Sequence, residues 1–550
     1  MKFALALGAA LALAAPSIAG SADPSAAGIG FICGAENTGA VAANPAAMLQ
    51  GVGAEHMAAD TTNREAQAWF DEGVRLYHAF NHEEAKAAFA KAVQLDPACA
   101  LCAWGQSLGL GATLNYPVSA EQTAQALEIA NRAAGLVKPG DEKTKGLVAA
   151  LQVRYRPGLS KTQSDKLYGQ AMDALVRRFP TDDNIATAAV HALLIPARAD
   201  DYSGVPRSEE ILKAVLARSP DDVAAIHYDI HATEFAGHAG QALPYAERLE
   251  ALAPGASHLV HMGAHTFMRV GQYEQVALVD ARALKIDADL QKLMDRKGPL
   301  SSQRYYQHNF LFGLSGAMLA GDAALALKYA DHAPLAFTEA GPADKRVTVL
   351  SRSLIAYGRY APERALAMTD AASDPRAVRI YRHYARGEAL ATRGDAAAVG
   401  RESAALEALR IEATAAHETG NAQIAEIARD VLAGRAAMIA GKPDAAAPLF
   451  AAASRAQEKA FPVFDNFDPP PWWYPVRRSL AAADLKAGRY GAAAEEAQRS
   501  LKDWPQDALA LKVLAEAEKA QGKAAAAAGH LAEARRAWRG DLSKVPLDLT

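Results

Sequence analysis

The sequence predicts an all-α fold, a solenoid of antiparallel helix pairs stacked side by side. Three observations carry that reading. Apolar residues make up 51% of the 550 and aromatics only 7%, because much of the apolar content is alanine, a strong helix former. Valine, isoleucine and threonine are scattered rather than gathered into strand-like runs. Glycines and prolines recur at one interval: Gly237 to Gly271, Gly488 to Gly522 and Pro220 to Pro254 are each 34 residues apart. A period of that size marks a repeated supersecondary unit whose apolar face is buried only by stacking on its neighbours.

The segments follow in chain order. Met1-Lys2, the apolar run Phe3 to Ala15 and the small residues through Ala19 have the layout of a secretory signal over residues 1–19, with a cut after Ala19 or Ala22. That run is short for a membrane span. Residues 20–60, rich in Ala, Gly and Pro, are expected to form a loosely ordered lead-in. A first array over residues 61–340 and a second over 341–550 complete the chain, with at least eight units between Glu65 and Trp538. The frame is irregular near 110–200 and 345–440, where insertions are expected. No later stretch is long and apolar enough for membrane insertion. The signal therefore predicts a periplasmic or secreted protein. A net charge of −4 without a basic tail excludes nucleic acid as the main partner.

Within a unit, Gly belongs at the turn between the two helices and Pro after the second. Gly takes a conformation other residues resist, and Pro cannot continue a helix. Trp69, Gly73, Ala85, Phe89, Ala92 and Pro97 set out one whole unit. The turn signal recurs at Gly271-Gln272-Tyr273 and Gly488-Arg489-Tyr490, with weaker copies at Gly237, Gly321, Gly441 and Gly522. These offsets resemble the tetratricopeptide repeat (TPR) family. The resemblance implies a TPR superhelical solenoid with a concave groove that binds peptides or proteins. Phe80 to Ala85, Leu95 to Gly105, His227 to Glu234, His258 to His265, His308-Asn309 and Pro469 to Arg477 also resemble a group of exported bacterial TPR proteins. That likeness implies a fold rather than an activity. The chain departs from the TPR pattern after Pro505, where Gln506-Asp507-Ala508-Leu509 replaces an aromatic-containing turn.

The histidines carry the functional signal. Residues 227–265 hold six of the fifteen, where even spreading would place about one. His227 and His231 are four apart and share a helix face, which Glu234 extends. His258, His261 and His265 share another. His227 to His261 and His231 to His265 are both 34 residues, so the pairs are equivalent in neighbouring first helices. The TPR resemblance implies that these positions face the groove. Imidazoles from helices about 8–10 Å apart can meet at one ion. The expectation is a single transition-metal site of His227, His231, His261 and His265, with Glu234, His258 and His308 in or near the ligand set. Nitrogen ligands with a carboxylate suit zinc, copper, iron or nickel.

Two other uses of these residues stay open: a metal-independent scaffold for a peptide or protein, and a metalloenzyme, hydrolytic or oxidative, built on the same cluster. His82 reads as structural in its turn, His191 is ambiguous, and His56, His238, His332, His383, His417 and His530 read as ordinary hydrogen-bonded residues. Cys99 and Cys102 can close a local disulfide, pack inertly or serve redox or metal chemistry; Cys33 stands apart. The chain has no HExxH, Walker loop or nucleophile elbow. Phe464 to Tyr474, with three consecutive prolines before Trp472, Trp473 and Tyr474, reads as a loop folded over the groove or as an aromatic seal between repeats.

Overall fold

Several helices begin where the sequence supplies a cap. The side chains of Asn63, Ser160, Asp182, Asp222 and Asp507 each accept a hydrogen bond from a backbone N–H in the first turn of the helix that follows. The computed structural model describes residues 48–115, 117–303, 305–462 and 469–550. The signal segment, Cys33 and the 463–468 part of the aromatic loop lie outside the described residues. The described residues form helices and no strands. Consecutive helices pack as hairpins from Arg64–His78 against His82–Leu95 through to Ala508–Ala520 against Ala524–Ala537. Gly237, Gly271, Gly321, Gly441, Gly488 and Gly522 all sit in the left-handed region, with φ between +68° and +81°. The first helices of neighbouring units also touch: Val223–Phe235 meets Ser257–Val270, which meets Tyr306–Leu319.

Three details depart from the sequence reading. The region 110–200 is regular, in hairpins of a longer period. Ser119 and Ser160 both form capping boxes 41 residues apart, and the helix caps Asp141 and Asp182 repeat that interval. Residues 48–60, expected as the end of a loose lead-in, are packed. Leu49 and Val52 are buried, the Leu49 N–H donates to Glu72, and Asp60 receives the N–H groups of Ala100 and Leu101. One core runs from Leu49 to Leu549 across the expected boundary at 340/341, with a smaller cluster around Leu509 and Trp538.

The solenoid also touches itself across its turns. A Cβ on Gly271 would stand 2.0 Å from the Pro505 carbonyl oxygen, and one on Gly321 would stand 2.3 Å from the Trp538 ring. The Arg539 N–H donates to the Ala320 carbonyl, and its guanidinium pairs with Glu274. The departure after Pro505 lies at this contact, with Gln506 at φ +59°. Leu547–Leu549 lies against the first helices Arg376–Thr392, Thr419–Ile439 and Arg477–Lys486. There Arg435 and Arg359 donate to the carbonyls of Asp548 and Leu549. Trp472, Trp473 and Tyr474 are buried, Trp472 packs 4.9 Å from the Tyr384 ring, and the Trp473 indole donates to the Tyr384 hydroxyl. This part of the loop packs on the first helix Arg376–Thr392. Cys99 and Cys102 form a disulfide at the start of the helix Ala100–Gly109.

Gly271→Ala should cost about 2–4 kcal/mol, since it adds left-handed strain of about 1–2 kcal/mol to a backbone clash. Gly441→Ala at φ +70° meets open space and should cost only about 1 kcal/mol. Denaturant midpoints of the two variants check the difference. Equal shifts would show that the 271–505 contact does not matter.

Candidate metal centre

Two helices form the floor of the site, and both are buried almost all round, as core helices are. The first, Val223–Phe235, is capped by Asp222; the second, Ser257–Val270, ends at Gly271, where the Gln272 N–H returns to the Phe267 carbonyl. Every residue from Ser257 to Met268 is buried. His227, His231, His261 and His265 are 0% exposed and His258 is 2%. Burial pushes the His258 and His261 rings well below the usual imidazole value, and brings His227 down to about 3. These rings are neutral at pH 7, the form that ligates metal.

The rings gather into two groups of three. His227 and His231 converge with His258, and His261 and His265 converge with His308; in each group three ligand nitrogens lie within 4.8 Å of one another. His227 Nε2 and His258 Nε2 are 3.2 Å apart, and His265 Nε2 and His308 Nε2 are 3.4 Å apart. Nitrogens bound at about 2.0–2.1 Å to one tetrahedral ion stand about 3.3–3.4 Å apart.

Hydrogen bonds behind the rings orient them. His227 Nδ1 lies 2.6 Å from the His78 carbonyl, which only accepts, so Nδ1 carries the proton and Nε2 the lone pair. His261 Nδ1 is 2.6 Å from Asp280 Oδ1, and His265 Nδ1 is 2.9 Å from Glu234 Oε2. Arg269 donates to the other Glu234 oxygen. His261 Nε2 has no hydrogen-bond partner among the described residues. Burial pushes the Asp280 carboxyl well above the usual carboxylate range. Burial thus favours the neutral form of the Asp280 carboxyl, and a cation at His261 Nε2 would favour its ionised form. Carboxylate, imidazole and ion in line is the arrangement that fixes a ligand's tautomer and raises its basicity.

Aromatic side chains wall both groups. The Phe80 ring lies 4.4 Å from His227, 5.0 Å from His258 and 5.9 Å from His231. Phe80-Asn81-His82 stands where other units have Gly-x-Tyr, and Phe80 holds φ +59° while 1% exposed. A bulky residue there bears about 1–2 kcal/mol of strain. The Phe312 ring lies between 4.8 and 5.0 Å from His261, His265 and His308. Tyr305, at the end of the connection that follows the long helix Tyr273–Leu293, lies 4.5 Å from His258.

The seven residues singled out in the sequence are thus all in one region, in a different grouping. Six imidazoles divide into two triads instead of converging on one point, and Glu234 stands behind His265. His258 and His308 occupy matching places, each closing a triad from the next first helix. Asp280, Phe80, Phe312 and Tyr305 escaped the sequence reading. Only Phe80 left a signal there, as a phenylalanine in a glycine's place. His82 packs 5.1 Å from Phe80, and His191 bonds to the Tyr77 hydroxyl. His56, His238, His332, His383 and His530 are each hydrogen-bonded to a neighbouring side chain.

The fold is a TPR array. That assignment rests on the chain's own hairpins and their glycine turns in 34-residue register. No family model and no curated protein matches the chain. Among solved structures it is similar to the TPR domain of P58(IPK), at 11% identity over 83% of this chain and 98% of that one, TM-score 0.25. It is also similar to a human IFIT1 dimer with m7Gppp-AAAA (11%, 87% and 91%, TM-score 0.30) and to yeast Tom70 (13%, 86% and 92%, TM-score 0.27). Overlap at that level adds nothing about function. No described helix is long and apolar enough to cross a membrane.

Burial of neutral rings gives the metal-free protein a pH dependence. His78 is held down to about 4 and His227 to about 3, each by desolvation first. The unfolded chain protonates both near 6.5 and the folded chain does not, so stability is complete above that value and falls as pH drops toward 4. Each ring contributes about 1.4 kcal/mol per pH unit, or about 2 kcal/mol between pH 7 and 5. The thermal midpoint without metal should be clearly lower at pH 5 than at pH 7. An unchanged or higher midpoint would contradict neutral burial.

Proposed function

We propose that this protein is an exported TPR array that holds a transition-metal ion of the zinc, copper or iron class on its buried histidines. His227, His231, His258, His261, His265 and His308 are the ligands; Asp280 and Glu234 orient two of them. The observation that carries this reading is the convergence of three ring nitrogens in each group, with the opposite nitrogens of His227, His261 and His265 already engaged. His261 Nε2 is buried with no hydrogen-bond partner among the described residues, which costs about 1–3 kcal/mol, and an ion bound there would satisfy it.

Burial also favours the metal reading over a peptide scaffold. A groove contact must be open to its ligand, and five of the six rings are 2% exposed or less. In the second array, the chain's own Leu547–Leu549 already rests against the first helices. Export is supported by the layout of residues 1–19 and by the Cys99–Cys102 disulfide, since such bonds persist in oxidising compartments.

Elemental analysis of protein prepared in its exported form should find at least one transition-metal ion per chain. Combining His231→Ala with His265→Ala should remove it while the helical circular-dichroism signal stays. Asp280→Asn should weaken binding about 10–100-fold, the usual effect of losing an orienting partner. A chain that binds no stoichiometric metal, as prepared or on reconstitution, would end this reading.

A further inference from the structure

The two triads are built alike, and they adjoin. In each, one first helix supplies two imidazoles four residues apart and the next first helix supplies the third. The helix Ser257–Val270 serves both, giving His258 to one and His261 with His265 to the other. Across the boundary, His231 and His265 have ring centres 5.9 Å apart, and His258 and His261 6.0 Å apart. Two ions held here would lie in the same buried region, close enough to repel strongly. That repulsion scales with the product of the charges, so it is about fourfold larger for a divalent pair than for a monovalent one.

We propose, building on the metal-binding reading, that the triads are two separate sites that fill together with copper(I), whereas divalent ions fill them one at a time. The ligand set suits this division. Each triad offers three imidazole nitrogens. Copper is well served by imidazole, and a filled-shell copper(I) ion accepts three-coordination without a further anionic ligand. Behind the second triad, Arg269 already balances the Glu234 carboxylate, which leaves the region little negative charge to offset divalent ions. The walls of Phe80, Tyr305 and Phe312 keep the region apolar, a setting that penalises high charge.

The test is a pair of titrations on the full chain. Copper(I) is added without oxygen against a chromophoric copper(I) chelator, and zinc is added against a competing zinc indicator. The expected result is two tightly held copper(I) ions per chain, but one tight zinc ion with a second at least about 100-fold weaker. His258→Ala and His308→Ala should each hold one copper(I) ion, and circular dichroism confirms that each remains helical. Wild-type stoichiometry stands without the variants should either fail to fold. One copper(I) ion at saturation would overturn the proposal, as would two zinc ions of equal affinity. Failure to bind either metal would instead end the metal-binding reading itself.

Discussion

Six imidazoles sit at the centre of helices that present almost no face to water, and the surroundings are organised around that constraint. A neutral imidazole has one N–H and one lone pair, and a buried site must partner both. The His78 carbonyl, Asp280 and Glu234 lie at one nitrogen of each of three rings. The nitrogens that remain in each group point at one another, some as close as 3.2 Å. At that distance the His258 Nε2–H can donate to the His227 lone pair, and a cation bound there would take the place of that proton. Phe80 in a strained backbone, Arg269 on Glu234 and Tyr305 on His258 all lie against this one region.

Much of the architecture was legible because repeats write themselves into sequence. Glycine at the hairpin turn is forced by a left-handed backbone, so Gly237, Gly271, Gly321, Gly441, Gly488 and Gly522 marked real turns. The region 110–200 escaped because its period is 41, not 34, and its left-handed turn glycines, Gly140 and Gly158, follow prolines instead of preceding the x-Tyr seen at Gly271 and Gly488. Its capping boxes at Ser119 and Ser160 carried the register instead. In the candidate site, the i,i+4 spacing and the 34-residue repeat foretold that these histidines lie in one region. The division into triads was not legible. It depends on the third ring coming from the following helix, and for His308 that helix is set back by the long helix Tyr273–Leu293 and the connection after it. Asp280 belongs to that long helix, and no spacing rule ties it to His261.

The remote half of the chain bears on the same helix. Gly271 ends the helix that carries His258, His261 and His265, and the Pro505 backbone presses on it where no side chain would fit. Trp538 makes the same use of Gly321, at the end of the helix that carries His308. The ends of two ligand-bearing helices are thus clamped by residues from the last hairpins, which gives a repeat protein, usually held only by neighbours, a longer-range brace. The sequence separates these partners by more than two hundred residues, and no local signal couples them.

The measurement that bears most directly on this account is an anomalous difference map from crystals of the metal-loaded protein, collected at the absorption edge of the metal. The account predicts density among the rings of His261, His265 and His308 or of His227, His231 and His258, with imidazole nitrogens at about 2.0–2.1 Å. Density only at surface carboxylates or exposed histidines, with both triads empty, would contradict it.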